Sequence, residues 1–156
     1  MNAKAMACGV LCGLFFVATW AWSAKGLANP QLQYEPATVE LSGTLTERTF
    51  PGSPNYENVK SGDRPETYWI LQLKSPIDVS PVRDDDINYS IRNVRNIQLV
   101  LSDAVRDPSL LRRNQRVLVV GTLYSAISGH HHTRVLIEVL SMQLAPGKKL
   151  PGGQGK

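Results

Sequence analysis

Val39-Glu40-Leu41-Ser42-Gly43-Thr44-Leu45-Thr46 is the stretch on which the fold turns. Val39, Leu41 and Leu45 alternate with Glu40, Ser42, Thr44 and Thr46, the period-two pattern of a half-buried strand. Gly43 stands in its middle, and a lone glycine inside a strand pattern marks a bulge or a sharp coil. A strand bent at that point serves two sides of a small closed barrel.

Downstream, Phe50 to Pro65 reads as a long connection. Its turn clusters are Pro51-Gly52-Ser53-Pro54-Asn55 and Ser61-Gly62-Asp63. Thr67-Tyr68-Trp69-Ile70-Leu71-Gln72-Leu73 is dense in β-formers and gives a second strand. Lys74 to Asn93 reads as irregular, and Val94 to Leu101 as a third strand. Asp107-Pro108 then caps a short helix running through Arg113, with proline at its first position. Arg116 to Tyr124 and Arg134 to Leu144 complete the strands. The order of three strands, short helix and two strands predicts an all-β fold, a small five-stranded OB-like barrel with one short helix between strands 3 and 4. A barrel hides edges that an open sheet exposes. A small β-sandwich is the competing arrangement.

The chain before this domain has a different character. Lys4 precedes an apolar, uncharged run from Ala5 to Trp22, and the small-residue segment Gly26-Leu27-Ala28 follows. That sequence of charge, apolar run and small residues predicts a cleavable secretory signal over residues 1–28. The domain then spans 29–144, and the proline-, glycine- and lysine-rich segment 145–156 is expected to be disordered. The only cysteines, Cys8 and Cys12, lie in the signal, so the mature domain has no disulfide or thiolate. Without Lys4 and Lys25 the 17 basic residues fall to 15, against 13 acidic ones. Such a balance lacks the clustered basic face of a nucleic-acid binder, so no nucleic acid is expected as partner. Cleavage would leave no stable membrane anchor, and the expected location is the periplasm.

All three histidines of the protein stand together as His130-His131-His132. In extended backbone His130 and His132 share one side and His131 faces away. His130 and His132 are therefore the candidate metal ligands, for zinc, copper or nickel, with a carboxylate such as Asp84, Asp85, Asp86 or Glu138 as a third. The competing expectation is no cofactor, the histidines holding loop backbone or contacting a ligand. The triplet also suits pH sensing. Tyr68 and Trp69, adjacent on a strand, point to opposite faces, and the outward one can stack on a ligand ring. Arg134 can pair an anionic ligand. Tyr68, Trp69, His130, His131, His132 and Arg134 are thus the candidate ligand-binding set. The chain contains no Gly-x-Ser-x-Gly elbow, no His-Glu-x-x-His and no phosphate-cradling glycine loop. A non-enzymatic role is therefore expected.

Tyr34-Glu35-Pro36, Gly43-Thr44-Leu45, Phe50-Pro51-Gly52, Pro54-Asn55-Tyr56-Glu57, Glu66-Thr67-Tyr68-Trp69, Gln98-Leu99, Gly121-Thr122-Leu123 and Gly129-His130-His131-His132-Thr133 form a recognisable pattern. In it the chain resembles an uncharacterised family of exported bacterial proteins, known only as a domain of unknown function. In that family proline usually follows the threonine, where Arg134 stands here. The resemblance implies a periplasmic domain and carries no activity or catalytic residues with it. The reading is a periplasmic OB-like binding or interaction module. Its partner, a small envelope ligand or a protein, is expected between the 50–65 and 125–133 loops. A metal-binding protein and an envelope immunity-type inhibitor are the alternatives.

Overall fold

The computed structural model describes residues 28–83 and 87–146. Residues 1–27 of the expected signal, Asp84-Asp85-Asp86 and the tail from residue 147 lie outside the described residues. The described chain is nearly all strand. It comprises β1 (Gln31–Gln33), β2 (Thr38–Pro51), β3 (Pro65–Ser80), β4 (Ile91–Val100), β5 (Arg116–Ser125) and β6 (Val135–Leu144).

The sheet closes on itself. β2 pairs antiparallel with β3 on one side and with β5 on the other. β3 continues to β4, β4 joins β6 in parallel, and β6 returns antiparallel to β5. The ring is thus β2, β3, β4, β6 and β5, with β1 added in parallel along Asp78 to Ser80 of β3. Gly43 sits where β2 has both neighbours at once, opposite Leu73 and Val117. Register runs through it without the expected bulge. What requires glycine is space, because a Cβ there would lie 2.7 Å from the Gln72 carbonyl oxygen.

Three expectations need correction. There are six strands among the described residues rather than five, because Gln31–Gln33 pairs with the far end of β3. That end belongs to a segment expected to be irregular. Its Pro76, which has no N–H to donate, is accommodated by a register shift between Gln72 and Ile77. The short helix after β4 is a turn. The N–H groups of Leu110 and Leu111 both reach the Asp107 carbonyl, and Asn114 then turns left-handed at φ 64. Continuing the helix would forfeit the ladder that follows, where Asn114 N donates to Leu45 O and Leu45 N to Gln115 O, both at 2.8 Å.

Inward-facing side chains fill the ring, among them Leu41, Leu45, Leu71, Ile97, Val119, Leu123 and Ile137, with Tyr34 at one end. Alternation sends Ile70 and Leu136 to the outer face, yet both are fully buried. Between them in register sits Gln98, 2% exposed. The outer face around Gln98 is therefore covered, and the histidine loop bonded to Gln98 lies over it. Burial of Ile70 and Leu136 is worth about 1.5–3 kcal/mol each, which gives that loop an apolar reason to dock.

Candidate functional site

Two loops build the site, and each is organised by one polar side chain. In the loop between β2 and β3, the Asp63 carboxylate accepts from the backbone N–H groups of Asn55, Glu57 and Asn58 at 2.8–2.9 Å. Those bonds hold its pKa below the ordinary aspartate value. A single turn, Val59–Ser61, follows with Asn58 as its cap. Tyr56 takes the left-handed backbone at φ 60, uncommon for an aromatic residue. Its ring lies over Gly129, where a Cβ would come within 2.9 Å of the ring carbons.

In the loop between β5 and β6, Gln98 plays the corresponding part. Its Nε2 donates to His130 O at 2.9 Å, and its Oε1 accepts from His132 N at 2.8 Å. Its backbone N–H donates to Thr133 Oγ1, whose hydroxyl donates in turn to Val135 O. The histidine segment is thereby pinned across β4 rather than projecting into solvent.

The two loops meet at Glu66 on β3. One oxygen, Oε2, accepts from Tyr68 Oη and from His130 Nδ1, each at 2.8 Å. A carboxylate only accepts, so Nδ1 carries the proton, and in the neutral ring Nε2 accepts from Tyr56 Oη at 3.1 Å. His132 stacks flat on Phe50, with ring centroids 4.3 Å apart and 2° between planes. Its Nε2 is buried without a hydrogen-bond partner, 3.8 Å from Glu66 Oε2. His131 faces the other way, accepting from Ile127 N at Nδ1 and lying edge-on to Tyr124.

Electrostatics follow this geometry. The His130 hydrogen bond, then that of Tyr68, holds the Glu66 carboxyl below its ordinary value. Burial and the same carboxylate push the Tyr68 hydroxyl up to about 12. Burial lowers His132 despite the neighbouring Glu66, because desolvation outweighs the attraction, and it lowers His131 as well. Both imidazoles are thereby biased towards the neutral form.

Beside His132 the outer face opens into a cleft of about 400 Å³. Its walls include Arg48 from β2, Arg95 and Asn96 from β4, and His132, Thr133 and Arg134. Of the residues expected to form a site, the fold brings together Tyr68, His130 and His132 around Glu66 and places Arg134 in this cleft. It does not bring in Trp69, which packs against the core, or His131.

Among the described residues no group of three histidine, cysteine, aspartate or glutamate side chains is arranged to hold a metal ion. Of the carboxylates considered as a third ligand, Asp84 to Asp86 lie outside the described residues. Glu138 faces solvent opposite Thr122 on β5. The carboxylate that meets the histidines is Glu66, 64 positions before His130.

Residues 96–144 match the family model described as Domain of unknown function (DUF4431). The match runs from within β4 to the end of β6, so it takes in Gln98, the histidine loop and Arg134. Phe50, Tyr56 and Glu66, which complete the cluster, lie before it. Comparison with curated proteins and with solved structures gives no match. Gln98, Glu66, Phe50 and Tyr56 were missed as site residues by reading the sequence, although all four belong to the pattern that carries the family resemblance.

Proposed function

We propose that the chain is a periplasmic, non-enzymatic binding module built as an OB-type barrel. Its partner, a small envelope ligand or a protein, is held on the outer face of β3 and β4. OB folds use that face, framed by the loop between their first and second strands and the loop between their fourth and fifth. Here those are the 50–65 and 125–133 loops, once β1 is counted as an addition to the barrel.

One observation carries the reading: two loops far apart in sequence converge on a single carboxylate, Glu66, through His130, Tyr56 and Tyr68. Three aromatic or imidazole rings and one acid, held by hydrogen bonds at a surface, form a pre-organised recognition surface. The mature chain, free of affinity tags, should retain a specific species from an envelope extract. His130→Ala and Tyr68→Phe, both substitutions at half-exposed or exposed positions, should weaken that retention. Equal retention by both variants would remove the site from this face.

A further inference from the structure

Resting on that reading of the β3–β4 face, we propose that the cleft of Arg48, Arg95 and Arg134 takes a small, multiply charged oxyanion, a phosphate or polycarboxylate compound. Three arginines line one concavity, and among the described residues none of them lies within ion-pair distance of a carboxylate. Arg95 Nη1 donates to Lys74 O at 3.0 Å and Arg134 Nη2 to Arg92 O at 3.2 Å. Each is thus anchored through one nitrogen while its other donors stay available. Arginine presents its N–H groups in a planar fork that fits carboxylate and phosphate oxygens in pairs. Like charges collected in one concavity repel one another, and an anion seated among them removes the repulsion.

A second observation points to the same place. Three buried side-chain atoms among the described residues have no hydrogen-bond partner: Asn96 Oδ1, His132 Nε2 and Ser125 Oγ. Asn96 and His132 both line this cleft. Such atoms are rare in folded proteins and ask for a missing partner. His132 Nε2 faces Glu66 Oε2 at 3.8 Å, so the group left for a ligand is the Asn96 carbonyl, which would accept from a hydroxyl or amide once turned into the cleft. A second cleft of about 420 Å³, lined by Ser42, Thr44, Gln72, Lys74 and Arg116, has two basic side chains and none of the unpartnered atoms. The arginine cleft is the one equipped for a charged ligand.

The test titrates the mature chain with inorganic pyrophosphate and with citrate by calorimetry in phosphate-free buffer. At least one probe should bind at a single saturable site, more weakly as salt rises. Arg48→Gln, Arg95→Gln and Arg134→Gln should each weaken it by about tenfold or more. Arg112→Gln, an exposed arginine outside the cleft, should leave it unchanged. Which probe binds decides between phosphate and carboxylate as the chemistry read. No saturable binding of either probe, or equal binding by the triple arginine variant, overturns the oxyanion assignment. If envelope capture through His130 and Tyr68 persists in that case, the assignment falls alone. If capture is absent too, the reading of the face falls with it.

Discussion

Replacing Gln98 with methionine isolates the contact on which the histidine loop depends. Methionine matches glutamine in length without its terminal fork, so most of the packing between Ile70 and Leu136 is preserved while both side-chain hydrogen bonds disappear. Each bond contributes about 0.5–1.5 kcal/mol net, and leaving a partly buried carbonyl or N–H unpaired costs about 1–3 kcal/mol. The His130 carbonyl and the His132 N–H are the groups left behind. Better burial of the thioether offsets part of the loss, so a net destabilisation of about 2–4 kcal/mol is expected. For a domain of this size that corresponds to a fall in Tm of about 10–15 °C. Thermal denaturation followed by circular dichroism measures the global effect, and amide hydrogen exchange at His132 measures the local one. A Tm within about 2 °C of wild type, together with unchanged protection at His132, would refute the claim that Gln98 holds the loop.

Gly129→Ala should drive the new Cβ into the Tyr56 ring and cost about 1–3 kcal/mol. Denaturant titration should show most of that cost absent when Tyr56→Ala is made in the same chain; simple additivity of the two losses would count against the contact. Stability should decline as pH falls below about 6.5, because His131 and His132 have lowered folded-state pKa values and the unfolded chain therefore binds protons first. Above that pH this contribution is fully present. Glu66, also lowered, should add a further loss as pH falls below about 4.3 and towards its folded value; a flat Tm between pH 7 and 5 would contradict the histidine part. Zinc, copper or nickel should leave the Tm of tag-free protein unchanged, since Glu66 Oε2 is already shared by Tyr68 and His130. A rise of several degrees would favour the metal-binding alternative.

The strands were legible because their signals are local. Alternation at Val39 to Thr46 and the β-rich run at Thr67 to Leu73 announced β2 and β3, and the burial pattern of β2 repeats that alternation. What was lost depends on contacts distant in sequence. Gln31–Gln33 is too short and polar to read as a strand and becomes one only against β3. The Asp107 segment carries a sound helix start, but rejoining β2 at Leu45 stops it after one turn. The opposite facing of His130 and His132 from His131 was anticipated from extended backbone, whereas the structure achieves it through a turn in which His131 N donates to Ser128 O. The third partner of the histidines had no signal by spacing. Glu66 is one of 13 acidic residues in the chain, and only the pairing of β3 with β4, with Gln98 holding the loop, brings it under the histidines. Gln98 was hidden for the same reason: a lone glutamine in an apolar strand reads as solvent-facing until a loop covers it.

The contact between the rings of Phe50 and His132, 82 positions apart in sequence, tests the joining of the two loops most directly. Nuclear Overhauser spectroscopy of labelled protein spanning residues 29–146 at pH 7.5 should give strong cross-peaks between their ring protons, as centroids 4.3 Å apart require. Cross-peaks from Phe50 to other residues alone, with none to His132, would mean that the loops do not meet and that Glu66 is not their common anchor.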